Sequence, residues 1–245
     1  MSEDKQPISV HCVMMSTLDG KIGSGIAGVD IVDDYLDVYR TIDDSVAGPY
    51  EKKNIAWMCG RETSKLYFAD SNSSPLPNGT SIIDDSDFFA NPNAGRFFVT
   101  IDTKGVLRWK SNSVEFFSEH GPLHLIIIVT RSTPKNYLAY LESKNISYIM
   151  SENDEVQFGT ILTKLNFNFD ISTLLLEGGG KINGSFMTQG LVDEIHLLLL
   201  PMVLNRTNAP SLFDSQNIQG ELKHFALVES STKPRGSVLL HYRKK

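Results

Sequence analysis

Cysteine is scarce in this chain: its 245 residues include two, Cys12 and Cys59, each inside an apolar run (VHCVMM and IAWMC). Free cysteine is among the most buried residue types, so both read as core thiols of strands. No CxxC occurs, which excludes the usual structural zinc framework and any disulfide scaffold and fits a reducing cytoplasm. Long apolar runs are also missing. The longest are strand length, short of a membrane span, and the start, MSEDKQPIS, is polar with no apolar signal segment. Basic residues are not in excess: 23 Lys+Arg stand against 29 Asp+Glu, for a formal net charge of -6. General attraction to nucleic acid or to an anionic membrane is therefore not expected, although a local basic pocket for a phosphate remains open. Several chemical signatures are absent as well. The six histidines show no HExxH and no pair at metal-ligand spacing, so no metal site is expected. No GxSxG elbow and no GK[ST] of a P-loop occurs, and the glycines of LLLEGGGKING are not spaced as GxGxxG. Any chemistry is expected to belong to a bound cofactor.

Apolar residues make up 41% of the chain, enough for one α/β domain spanning 1–245 with a core from about 8 to 243. ISVHCVMMS (8–16) reads as a first, central strand, followed by the Asp-Gly turn of TLDGK and the glycine-rich GSGIAG. DDYLDVYRTID reads as a helix with acids near its start. NIAWMC, RFFVTID, HLIIIVT, ISYIM, STLLLEG and VDEIHLLLLPMV read as strands, and RETSKLYF, TPKNYLAYLESK, FGTILTKLNFN and GKINGSFMTQG as helices. Thr133 is the expected cap of the third helix, with Pro134 at its first position. Residues 70–95 form an irregular excursion. HFALVES and GSVLLHYR read as a closing hairpin. Continuous apolar strands alternating with helices imply a mostly parallel central sheet flanked by helices, with an antiparallel edge late in the chain.

The strongest local signal is LLLEGGGKING (174–184). A buried strand stops at Glu177, and Gly178, Gly179 and Gly180 leave backbone N–H groups open to a ligand. The start of the next helix, at Lys181 and Ile182, adds further N–H groups and a field favourable to anions. Phosphate binding and a packing-driven glycine turn both fit. Glu177 would repel a phosphate, so it is expected to point aside and brace the turn. STLDGK places Thr17, Asp19 and Lys21 at the end of the first strand, where Asp19 either turns the chain or faces a pocket. CGRET sets Gly60, Arg61 and Thr63 at a second strand-to-helix junction, and VTRST sets Val129 and Thr130 at a third. Thr100 and Asp102 end another strand. Repeated junctions of this kind point to the carboxyl edge of a sheet, where ligands of α/β folds bind. His11, His124 and His196 lie in strand patterns and read as core residues. The paired acids at 33–34, 43–44 and 84–85 read as helix starts and solvated turns.

MMSTLDGKIGS, WMCGRET, RFFVTIDTKGVLRW and LLLEGGGKINGSFMTQGLVDEIHLLLLPMV, in that order, resemble the reductase domain of riboflavin biosynthesis. The resemblance implies a dihydrofolate-reductase-like fold, a homodimer to which 192–201 contributes, and NADPH-dependent hydride transfer to a ribosylaminopyrimidine 5′-phosphate or a related C=N or C=O compound. NADH is not excluded by the residues. It also implies that Thr17 and Asp19 lie near the nicotinamide and substrate. Gly60, Thr63, Val129, Thr130 and residues 177–182 would contact the cofactor; Arg61, read from its place at the same junction, is either a partner for a cofactor phosphate or a surface arginine. The chain departs from the family where an acidic stretch is expected: it reads TSKLYFADSNSSP, with Tyr67 in the place of the first acid. The basic segment before the second strand is reduced to YEKKNIAW. Two other classes stay open, a dihydrofolate-type reductase and a non-enzymatic nucleotide-binding module.

Overall fold

A computed structural model describes residues 5–22, 33–48, 54–71, 76, 83–115, 117, 120–215 and 222–245. GSGIAG, the lysines of YEKKNIAW and parts of the 70–95 excursion lie outside the described residues. Among the described residues, ten strands and five α-helices follow one another largely in the expected order. Their contacts divide the chain into two units, one with the described parts of Met1–Ile8 and Lys53–Ser172, the other with those of Ser9–Lys52 and Thr173–Lys245.

In the first unit β2 (Ile55–Cys59), β3 (Arg96–Ile101), β5 (Leu123–Thr130) and β6 (Ser147–Ser151) pair in parallel in that order. Every residue of β2 and β5 is buried, as their unbroken apolar runs require of strands covered on both faces. The two-residue β4 (Ser113–Val114) pairs antiparallel with the start of β5. The helices are α2 (Arg61–Tyr67), α3 (Lys135–Ser143) and α4 (Phe158–Phe169). The expected cap of α3 is corrected by the structure. Pro134 occupies the cap position, and the Thr133 hydroxyl instead accepts from Thr130 N at 2.9 Å and donates to Thr103 O at 3.1 Å.

In the second unit β1 (Ser9–Thr17) pairs in parallel with β7 (Thr173–Leu176) on one edge and with β8 (Glu194–Leu200) on the other. β10 (Val238–Lys244) runs antiparallel to β8 and to β9 (Phe225–Thr232), which gives the expected antiparallel carboxyl-terminal edge. The β9–β10 register shifts between His241 and Tyr242. Leu174, Leu175 and Leu176 are fully buried, each worth about 1.5–3 kcal/mol relative to exposure. α1 (Asp33–Ala47) packs on β1 and β7 with Tyr35, Val38, Tyr39, Ile42 and Asp43 on its buried stripe. Asp43, read from the sequence as half of a solvated acidic pair, is thus a core residue.

α5 (Gly180–Thr188) explains two of its glycines by close approach. A Cβ on Gly180 would stand 2.2 Å from Ser211 O, and one on Gly184 would stand 2.0 Å from Asp214 O. Asp214 N also donates to Gly180 O at 2.9 Å. The backbone of 211–214 therefore lies directly on the helix. Among the described residues no helix is long and apolar enough to cross a membrane.

Gly184→Ala is expected to destabilise the protein by about 1–3 kcal/mol, the usual range for overpacking. Chemical denaturation of the parent and the variant measures it; equal midpoints would mean that the 211–214 segment yields freely.

Candidate functional site

In the second unit the glycine turn after β7 and the turn after β1 both follow the carboxyl ends of parallel strands. Gly178 has φ +80 and precedes a cis peptide bond to Gly179. The positive φ favours glycine here, and a Cβ would stand 2.9 Å from Met14 Sδ, so the flexible end of Met14 would have to shift. Gly179 caps α5. Its carbonyl accepts from Ile182 N at 3.1 Å and from Asn183 N at 3.2 Å. The N–H groups of Gly179, Gly180 and Lys181 have no acceptor among the described residues. Lys181 is exposed, while Ile182 and the fully buried Asn183 anchor the first turn. Asn183 Nδ2 donates to Leu212 O at 3.0 Å, and Oδ1 is buried without a partner. Asp214 closes one flank of this turn, its carboxylate held by the amide and hydroxyl of Ser211.

Glu177 does point aside. It is 8% exposed and meets the Tyr39 hydroxyl. The same hydroxyl oxygen lies 2.8 Å from Val13 O. A tyrosine has one proton to give, and a backbone carbonyl only accepts. A protonated Glu177 donating to Tyr39, with Tyr39 donating to Val13, gives each of these two contacts a proton, while Glu177 Oε1 stays buried without a partner. Burial raises the Glu177 carboxyl well above its ordinary 4.5, and the neighbouring Asp43 raises it further. Tyr39 and Asp43 stand one helical turn apart on α1, which is why both reach it. Sequence reading missed this pair, yet the spacing of Tyr35, Tyr39 and Asp43 placed all three on one stripe.

Asp19 shows the opposite electrostatics. It is exposed, and Thr17 Oγ1 donates to its Oδ1 at 2.6 Å. Leu204 N and Asn205 N donate to its two oxygens at 3.1 and 3.0 Å. The Thr17 hydroxyl, followed by these amides, holds the carboxyl down to about 2 against the cost of desolvation. Thr17 Oγ1 also accepts from Lys21 N at 2.9 Å, and Gly20 completes the turn at φ +70. Thr17 and Asp19 therefore tie the β1 turn to residues 204–205.

In the first unit Gly60 is the cap residue of α2, accepting from Ser64 N at 2.9 Å. Arg61 donates to Glu62 from Nε and a terminal nitrogen, both at 3.1 Å, and Thr63 is half-buried. Val129 and Thr130 end β5 fully buried. Thr130 Oγ1 lies 2.9 Å from Ser132 Oγ, so its side chain serves the loop that leads to α3.

The RibD C-terminal domain model matches residues 93–239. Over 94 residues, 38% of this chain, the sequence is 31% identical to the 2,5-diamino-6-ribosylamino-4(3H)-pyrimidinone 5′-phosphate reductase of Aquifex aeolicus. It is 32% identical over 93 residues to the reductase of the same name from Methanothermobacter thermautotrophicus. The matched segment spans 42% of each of those two relatives. Among solved structures, a pyrimidine reductase-like protein of Corynebacterium diphtheriae superposes with TM-score 0.64 at 17% identity, covering 98% of this chain and 92% of the other. The Saccharomyces cerevisiae riboflavin biosynthesis reductase Rib7 superposes with TM-score 0.57 at 16% identity, covering 100% and 93%. These likenesses establish the α/β, dihydrofolate-reductase-like fold, with mostly parallel strands and flanking helices.

Because Glu177 is favoured neutral in the folded chain, its contribution is full below its unfolded value and is lost as pH rises from about 4.5 towards its elevated folded value. Urea midpoints of the parent are expected to fall as pH rises above about 4.5, and Glu177→Gln, which cannot ionise, to flatten that fall. An identical slope in the variant would show that Glu177 does not titrate there.

Proposed function

The chain belongs to the RibD C-terminal domain family, and on that basis we propose that it is an NADPH-dependent reductase acting on a ribosylaminopyrimidine 5′-phosphate or a closely related small C=N or C=O compound. The observation that carries the reading is the unclaimed row of amides at Gly179, Gly180 and Lys181, at the start of a nine-residue helix. N–H groups with no protein acceptor, glycines without side chains and a helix amino terminus suit a phosphate or diphosphate. Residues 178–182 fit that group, with Lys181 adding a positive charge and Ile182 anchoring the turn.

Charge supports the same reading. A carboxylate at Glu177, immediately before the anion seat, would oppose binding; burial and Asp43 favour its neutral form. The bound nicotinamide supplies a hydride when the cofactor is present. The chain's own part is to hold phosphate at the glycine turn, orient the reactants and exclude water. Thr17 and Asp19 are assigned a positioning role at the β1 turn, since an acid held down to about 2 stays ionised and exchanges no proton near neutrality. Gly60, Thr63, Val129 and Thr130 carry the cofactor assignment of the first unit on family grounds, and Arg61 joins them by its charge and its place at the same junction. NADPH is preferred to NADH on the same grounds, as is a homodimer; a cytoplasmic location rests on the two free, buried cysteines. The relatives named above are reductases of the ribosylamino-pyrimidinone 5′-phosphate, which supports a phosphorylated substrate here.

NADPH fluorescence is expected to change on addition of the parent protein, and Gly179→Leu to weaken that binding about 10–100-fold, the worth of one or two charge-assisted hydrogen bonds. Unchanged affinity in a folded variant removes residue 179 from the site. Consumption of NADPH with the ribosylaminopyrimidine 5′-phosphate tests the substrate. Turnover of dihydrofolate instead would identify a folate-type reductase, and tight binding with no consumption a nucleotide-binding module.

A further inference from the structure

The three sheet-borne histidines of the second unit, none of which serves the glycine turn, converge with a glutamate on one sheet face. Parallel pairing sets His11 opposite Glu194 and Val13 opposite His196, and antiparallel pairing sets His241 opposite His196 and Arg243 opposite Glu194. Residues two apart on a strand share a face, and directly opposed residues share it across strands. The side chains meet as this register demands. His11 Nδ1 lies 3.2 Å from His196 Nε2, and Glu194 Oε2 lies 3.7 Å from the first and 3.5 Å from the second. Two imidazole nitrogens and a carboxylate oxygen around a metal, with bonds of about 2.0–2.2 Å in a tetrahedral arrangement, stand about 3.3–3.5 Å apart.

The surroundings orient the donors. Ser9 Oγ lies 2.9 Å from His11 Nε2; with the ring proton given to Ser9, the Nδ1 lone pair faces His196 and Glu194. His241 Nε2 sits 2.6 Å from Glu194 Oε2, and Arg243 Nε donates to Oε1 at 2.9 Å. The His11, His196 and Glu194 side chains are 17%, 10% and 15% exposed, open enough for an ion to enter. Arg243, the opposing charge, is 60% exposed and screened by solvent.

We propose that the chain binds one divalent transition-metal ion of the zinc, cobalt or nickel class through His11, His196 and Glu194. Imidazole with carboxylate selects this class over magnesium and calcium, which take oxygen ligands throughout. His241 orients the glutamate or supplies a fourth ligand. The ion clips β1 to β8. His11 and Thr17 are six residue steps apart along β1, about 20 Å of extended strand, so the ion takes no part in hydride transfer, and the proposal does not depend on the reductase reading.

Tag-free, chelator-treated protein titrated with cobalt chloride is the test. The parent is expected to take up one equivalent with visible absorption of tetrahedral type, which zinc bleaches, and zinc is expected to raise its melting temperature. His196→Asn, and independently His11→Asn, should weaken cobalt binding at least about 100-fold and abolish the zinc effect on melting. A parent spectrum that stays that of aqueous cobalt overturns the proposal without reference to any variant. Variants that bind as tightly as the parent overturn it equally.

Discussion

Pairing of β1 in parallel along both edges is the constraint on which the second unit rests. It joins a segment near residue 10 to two segments more than 160 residues later, β7 at Thr173–Leu176 and β8 at Glu194–Leu200. One strand therefore positions two separate groups of side chains. Its carboxyl end leads into the Thr17 and Asp19 turn, beside a β7 that runs out into the glycine turn. Its amino end holds His11 against Glu194 and His196. The side-chain period of two makes the register unforgiving: a slip by one residue would send His11, Val13 and Met15 to the opposite face.

Two acids of this unit illustrate how environment, and not residue type, sets charge. Glu177 lies behind the glycine turn without enough donors to support a carboxylate, beside a second buried acid, and is favoured neutral. Asp19 is exposed, takes one hydroxyl and two amide donors, and is ionised. Both are braces. Glu177 bridges the end of β7 to α1 through Tyr39, while Asp19 fastens the β1 turn to residues 204–205. Around the unclaimed amides at 179–181, negative charge is thus suppressed at Glu177, and at Asp214 it is engaged by Ser211.

Most elements were legible because period and composition agreed. HLIIIVT is apolar throughout and is a doubly covered strand, and β9 with β10 forms the closing antiparallel pair. β4 escaped notice because two residues carry no period. Thr133 was misread because a threonine before Pro-Lys looks like a cap, whereas its hydroxyl is spent on Thr130 and Thr103. The glycine cluster was legible as a place of close approach but not as to what approaches. Gly180 makes room for Ser211 and Asp214, a contact with a segment about thirty residues away that no local pattern reveals. The histidine cluster was hidden for a like reason. EIH at 194–196 and HYR at 241–243 each announce a shared face by their alternation, but only strand register brings them to His11.

The register shift between His241 and Tyr242 matters beyond the pair it interrupts. β9 is the outermost strand of its sheet among the described residues, and it carries the exposed Leu227 and Val228. A straight apolar margin of that kind would invite another chain to add itself as a further strand. The extra residue sharpens the local twist and breaks the even spacing of backbone donors and acceptors, so the margin is a poor template for amyloid-like growth.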